Sequence, residues 1–150
     1  MTLDDIDRKI LLSLQANADQ PTTQLAAKLG LSQPATWRRI RRLQDEGVIA
    51  RRQLVLDAEA LGYGVTVFLG VKLATKGRVS LEDFERAIGA IPEVQSVEHV
   101  LGLYDYRLRV VARDLADFER VLRRRIMTMP GVGDVEANVL LSEERLSGPL

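Results

Sequence analysis

Two stretches of this chain nearly repeat each other, and that repeat limits the fold more than any other feature. LEDFERAI at 81–88 echoes LADFERVL at 115–122, and IPEVQSV at 91–97 echoes MPGVGDV at 129–135. The helical pieces lie 34 residues apart and the strand entries 38, which predicts a second helix about one turn longer than the first. VTVFLGVKL, rich in β-branched and aromatic residues, predicts a strand ahead of the first helix. Each half then reads strand, helix, strand: 65–73, 81–90 and 94–101, then 106–113, 115–127 and 132–141. Two such units predict a four-stranded antiparallel sheet with both helices on one face, the ferredoxin-like βαββαβ arrangement. Val65, Val67, Leu69 and Val71 alternate against Phe68, and Leu108, Val110, Val139 and Leu141 occupy the other strands. Apolar side chains are therefore expected on both faces, with a second copy of the chain covering the open one.

The first sixty residues have a different texture. Leu3, Ile6, Ile10 and Leu14 recur at three- and four-residue intervals, the stripe of an amphipathic helix with an acidic first turn. TTQLAAKLG predicts a short second helix, capped by a threonine, apolar along Leu25, Ala26 and Leu29, and ended by Gly30. A third follows in LSQPATWRRIRRLQDEG, with Ser32 as N-cap, Pro34 in the first turn and Gly47 as the stop. Three short helices with a tight turn before the third predict a helix-turn-helix, whose last helix enters the DNA major groove by its N-terminal half. After Gly47, VIARRQLVLD is expected to form a two-stranded wing with Val48, Ile49, Leu54 and Leu56 inward.

Residues 32–52 gather six arginines in a chain with 21 basic and 21 acidic residues and no net charge. Neutrality argues against non-specific wrapping by nucleic acid but leaves room for a local basic face. On a helical wheel Arg38 and Arg42 stack four apart on the exposed side, flanked by Arg39 and Arg41, an arrangement that repels itself unless an anion neutralises it. Ser32, Gln33, Pro34, Ala35 and Thr36 begin the helix, where small residues permit close approach to base edges. Arg38, Arg39 and Arg42 are expected to read the groove, with Arg41, Arg51 and Arg52 nearer the phosphates. Trp37 is expected to pack inward.

The chain has no cysteine and a single histidine, His99, which excludes disulfides and thiolate chemistry and leaves no expected metal site, catalytic residue or cofactor. His99 is expected to pack at a subunit contact. No apolar run is long enough to span a membrane, and the acidic N-terminus lacks the form of a secretory signal, so a cytoplasmic, membrane-free protein is expected. Between the second and third strands lies HVLGLYDYRLRV. Gly102 with exposed amides beside Asp105 could bind both ends of a small zwitterion, next to Tyr104 and Tyr106; a plain capped hairpin is the alternative.

The segments LDDIDRKILLSLQANAD, LAAKLGLSQPATWRRIRRLQDEGVIARR, LGLYDYRLRV and MPGVGDV, in this order and spacing, resemble the Lrp/AsnC (feast/famine) transcriptional regulators over nearly the whole chain. The resemblance implies a winged helix-turn-helix DNA-binding domain with its wing and linker over 1–60, a ferredoxin-like effector-binding and oligomerisation domain over 61–141, and a tail over 142–150. It also implies double-stranded DNA as a partner, a homodimer that assembles to a tetramer or octamer, and a small effector such as an amino acid. The family's effector loop, Gly-Asp-Phe/Tyr-Asp-Tyr, falls on Gly102, Leu103, Tyr104, Asp105 and Tyr106, with Leu103 replacing its first aspartate. Ala137 and Asn138 stand where the family commonly has threonines, so a more apolar effector is implied. Siroheme decarboxylase subunits resemble this family in both halves, but their histidine- and aromatic-rich stretch does not occur here. A ligand-binding or scaffolding module without DNA binding is the other alternative.

Overall fold

A computed structural model describes residues 2–74 and 81–144, which divide into two compact units, one ending at Val55 and the other running over Leu56–Glu143. Residues 145–150 of the expected tail lie outside the described residues.

The N-terminal unit holds three helices: α1 (Asp5–Ala16), α2 (Thr22–Leu29) and α3 (Gln33–Asp45). Asp4 caps α1 by accepting the Asp7 N–H at 2.7 Å, and the Asp7 side chain answers by accepting the Asp4 N–H at 3.3 Å. This reciprocal pair occupies two of the donors a helix start leaves open. The predicted threonine cap of α2 is absent: Pro21 precedes the helix without a side-chain cap, and Thr22 is already inside it. Gly30 ends α2 at φ 65°, a left-handed conformation that a side chain would strain, so the chain turns into α3 within three residues, 30–32. Ser32 caps α3 as expected, its hydroxyl accepting the Ala35 N–H at 3.3 Å. Ile10, Leu25, Ile40 and Leu43 form the buried centre, with Leu3, Ile6, Leu14 and Leu29 packed around it. The expected apolar stripes therefore face one another.

No strand forms between Gly47 and Gly64, so the expected two-stranded wing is not present. Ile49 packs against the helices, but Leu54 and Leu56 stand exposed instead of turning inward. Alternation alone could not supply the missing hydrogen-bonding partner that a two-residue-period segment needs to become a ladder.

In the second unit the strands β1 (Val65–Leu73), β2 (Val94–His99), β3 (Tyr106–Ala112) and β4 (Val132–Val139) form an antiparallel sheet in the order β2-β3-β1-β4. Helices α4 (Leu81–Gly89) and α5 (Leu115–Val121) cover one face; Phe84, Ile88, Phe118 and Val121 meet Val67, Leu69, Val71, Leu108 and Val110 there. The helix α5 runs on into a π-helical turn, Leu122–Ile126, closed by the Met127 N–H on the Leu122 carbonyl at 2.8 Å. The extra residues of the second repeat are taken up here, by lengthening and widening the helix.

The open face does not carry the expected apolar surface. Register pairs Phe68 with Arg109 and Gly70 with Arg107, so the valines and leucines of β1, with Leu108 and Val110 of β3, point to the helices, while Val111, opposite Thr66, faces the other way. Thr66, Phe68, Lys72, Arg107 and Arg109 alternate with them onto the other side. There the Arg109 guanidinium lies 5.4 Å from the centre of the Phe68 ring, and Arg107 pairs with Glu98 at 2.5 Å. Val139 and Leu141 are exposed.

Candidate functional site

Helix α3 buries Thr36, Ile40 and Leu43 and leaves its remaining sides to solvent. Thr36 is fully buried and its hydroxyl donates to the Ser32 carbonyl at 3.1 Å, so it serves the helix interior and not a ligand. Trp37 departs from expectation in the opposite sense. It is 57% exposed and borders a shallow surface depression with Gln33, Pro34 and Arg38.

The four arginines of α3 are not equivalent. Arg39 Nη1 contacts Asp4 Oδ2 at 2.7 Å and Asp7 Oδ1 at 2.8 Å, while Arg42 Nη2 contacts Asp7 Oδ2 at 2.5 Å. Arg41 pairs with Asp45 one turn on, at 3.3 Å, in an exposed position. Arg38 is the one guanidinium of α3 with no carboxylate partner among the described residues. The Arg39 guanidinium holds the Asp4 carboxyl below its ordinary range, and the two aspartates raise the Arg39 guanidinium in turn. The like-charge repulsion anticipated on this helix is thus relieved on one edge by acids from α1. Arg51 and Arg52 are exposed and line, with Leu11, Leu12 and Ile49, a groove of about 550 Å³.

The loop 100–105 follows β2. Asp105 N–H donates to the Val71 carbonyl at 3.0 Å, and Asp105 Oδ2 accepts the Leu73 N–H at 2.9 Å, so its carboxylate closes the end of β1. Tyr106 is buried in the helix-side core, its ring 4.8 Å from Phe84 and 4.9 Å from His99, its hydroxyl donating to Glu85 at 2.9 Å. Burial, then the Glu85 carboxylate, pushes the Tyr106 phenol up to about 12. Tyr104 turns the other way: its ring lies over Gly70 and its hydroxyl donates to Glu136. That bond raises the Tyr104 phenol and, with Asn138, lowers the Glu136 carboxyl. A Cβ at position 70 would come within 2.7 Å of the Tyr104 ring, which is why a glycine interrupts this β-branched strand. Lys72 Nζ donates to the Leu103 carbonyl at 3.3 Å. A Cβ at Gly102 would meet nothing within 4 Å, and Leu103 is exposed.

The residues expected to surround an effector therefore divide. Tyr104 and Asn138 share the open face, linked through Glu136, whereas Tyr106 belongs to the opposite, helix-covered face. Ala137 pairs with Leu69 on an exposed edge strand. Among the described residues no three His, Cys, Asp or Glu side chains could hold a metal ion, and no helix is long and apolar enough to cross a membrane.

Residues 66–150 match the Lrp/AsnC ligand binding domain family, and residues 3–50 match the winged helix-turn-helix DNA-binding family. The chain belongs to the Lrp/AsnC family of transcriptional regulators. Among its relatives, the proline dehydrogenase transcriptional activator of Rhizobium radiobacter is 33% identical, covering 97% of this chain and 94% of its own length. The glutamate uptake regulatory protein of Zymomonas mobilis is 35% identical over 94% of this chain and 85% of its own. A Neisseria meningitidis transcriptional regulator, solved in complex with L-Met, superposes with a TM-score of 0.91 at 29% identity, covering 99% of this chain and 96% of that one.

For this Lrp/AsnC chain, sequence reasoning missed Asp4 and Asp7, Trp37, Gly70, Lys72 and Glu136. Gly70 carried a signal, being a glycine inside a strand. Asp4 and Asp7 looked sufficiently explained by the helix dipole, and nothing local announces that they reach α3.

Proposed function

We propose that this DNA-binding transcriptional regulator reads its site with the N-terminal half of α3, chiefly through Arg38 with Gln33, Pro34, Ala35 and Trp37 beside it. Arg41, Arg51 and Arg52 serve the phosphates. The observation that carries the reading is Arg38 itself, an uncompensated guanidinium on the solvent side of the third helix of a helix-turn-helix. The chain works as a homodimer that assembles further to a tetramer or octamer, and the exposed Leu54, Leu56, Leu101 and Leu103 support such burial. An apolar amino acid or similar metabolite binds around Gly102, Leu103, Tyr104 and Asn138, completed by another copy. Leu103 and the L-Met complex of the Neisseria relative support an apolar ligand. Tyr106 contributes by holding the loop from the core side, and Asp105 by fixing the end of β1.

Selection of duplexes from a randomised pool tests the DNA reading: enrichment of one sequence supports it, and a bound but unenriched pool sinks specific recognition. A thermal-shift screen of the twenty amino acids tests the effector. Stabilisation by apolar members that is lost in Leu103→Asp supports the loop, and no response at millimolar ligand removes it.

A further inference from the structure

The aspartate Asp7 is 1% exposed, yet it stands at the start of a surface helix. Its two oxygens have separate partners from α3: Arg39 on Oδ1 at 2.8 Å and Arg42 on Oδ2 at 2.5 Å, with the Asp4 N–H also on Oδ2. Asp4 adds a second carboxylate to Arg39 at 2.7 Å. Two acids thus meet two guanidinia, so the cluster carries no net charge. The partners differ from Asp7 in exposure, with Arg39 at 27% and Arg42 at 44%, so both arginines border solvent that a DNA phosphate could enter.

The wheel shows what this arrangement selects. At 100° per residue Arg38 and Arg42 each lie about 160° round from buried Ile40, on opposite sides and only about 40° apart, and Arg39 lies about 100° round on the Arg42 side. It is the contacts with Asp7 that draw Arg39 and Arg42 toward α1. Trp37 and Gln33 lie on the Arg38 side. A guanidinium tied to a buried carboxylate contributes little to phosphate neutralisation, because leaving it would strand an anion away from water. A free one contributes fully.

We propose that Asp7 is a positioning residue for DNA reading: it holds Arg39 and Arg42 along α1 and so confines the reading face of α3 to the Arg38 and Trp37 side. The proposal rests on DNA binding by α3. Its consequence is selectivity, since two cations that would attract any duplex are withheld from it.

The test measures affinity of the full chain for a random-sequence duplex and for the duplex it selects from a randomised pool, at 50 to 200 mM salt. Asp7→Asn keeps the size of the side chain and removes its charge. Releasing one arginine to phosphate steepens the logarithmic salt slope by about 0.9, which makes the affinity loss across that salt range about 3.5-fold larger, and it narrows the preference for the selected duplex. Arg42→Gln, an exposed-side change that does not depend on Asp7→Asn folding, leaves the slope unchanged on its own. In the double variant it cancels the increase. A folded Asp7→Asn with the wild-type slope and preference overturns the proposal, as does a slope reduced by about one in Arg42→Gln alone. Failure of the wild type to retain any duplex is a separate result, which would overturn DNA binding and the proposal with it.

Discussion

Helix α3 and the loop 100–105 are the two places where this sequence concentrates groups suited to a ligand, and they treat those groups in opposite ways. On α3 acids from α1 hold Arg39 and Arg42 and Asp45 holds Arg41, leaving Arg38 and Trp37 toward solvent. In the loop both polar side chains already have a partner within the chain, Asp105 on Leu73 and Tyr104 on Glu136, and the adjoining Tyr106 of β3 has Glu85. What the loop offers outward is Leu101, Gly102 and Leu103. A residue type suited to binding shows where a ligand could be held, but only its existing partners show whether it is free to bind.

The sharpest way to break this comparison is Arg38→Ala. It is expected to cost about 1–3 kcal/mol on a selected duplex and less on random DNA, read by fluorescence anisotropy of labelled duplexes. An equal loss on both would make Arg38 another phosphate contact. On the loop side, Asp105→Ala is expected to act on stability first, lowering it by about 1–2 kcal/mol in urea denaturation, because the Leu73 N–H loses its acceptor. A variant as stable as wild type but unable to bind ligand would return Asp105 to an ammonium-binding role.

A smaller effect separates Tyr106 from the ligand groups. Its folded phenol titrates at about 12, above the ordinary 10.0, so the fold favours the neutral form. That contribution is complete below about pH 10 and is lost as pH rises toward 12. Tyr106→Phe should remove this alkaline loss and, for the hydrogen bond to Glu85, cost about 0.5–1.5 kcal/mol at neutral pH. An alkaline unfolding limb that persists unchanged in Tyr106→Phe assigns it to other groups.

The distribution of these roles explains what was readable in the chain. Periodicity, β-branched composition and the internal repeat placed the helices and strands of both units, because burying one face is a local demand repeated along each element: Ile40 and Leu43 inward on α3, Leu69 and Leu108 inward on the sheet. The repeat offset even marked α5, where the π-helical turn absorbs the additional residues. Failures came where the outcome depends on a partner far away in sequence. Asp7 and Arg42 lie 35 residues apart, as do Asp4 and Arg39, and no wheel of a single helix joins them. Tyr106 was read by its place in a loop motif, whereas its alternation within β3 puts it in the core. The wing was read from alternation without a strand to pair with. Trp37 was assigned inward because the wheel sets it at the edge of the apolar stripe, but an edge position is only partly covered and the ring is 57% exposed.

Trp37 also supplies the most direct test, because it is the only tryptophan in the chain. Acrylamide quenching of its fluorescence, measured without DNA and with a saturating selected duplex, reports on one side of α3 alone. Reading through the Arg38 and Trp37 side predicts an indole open to the quencher in the free protein and shielded once DNA is bound. Unchanged quenching, at a DNA concentration where anisotropy shows the duplex fully bound, would contradict it.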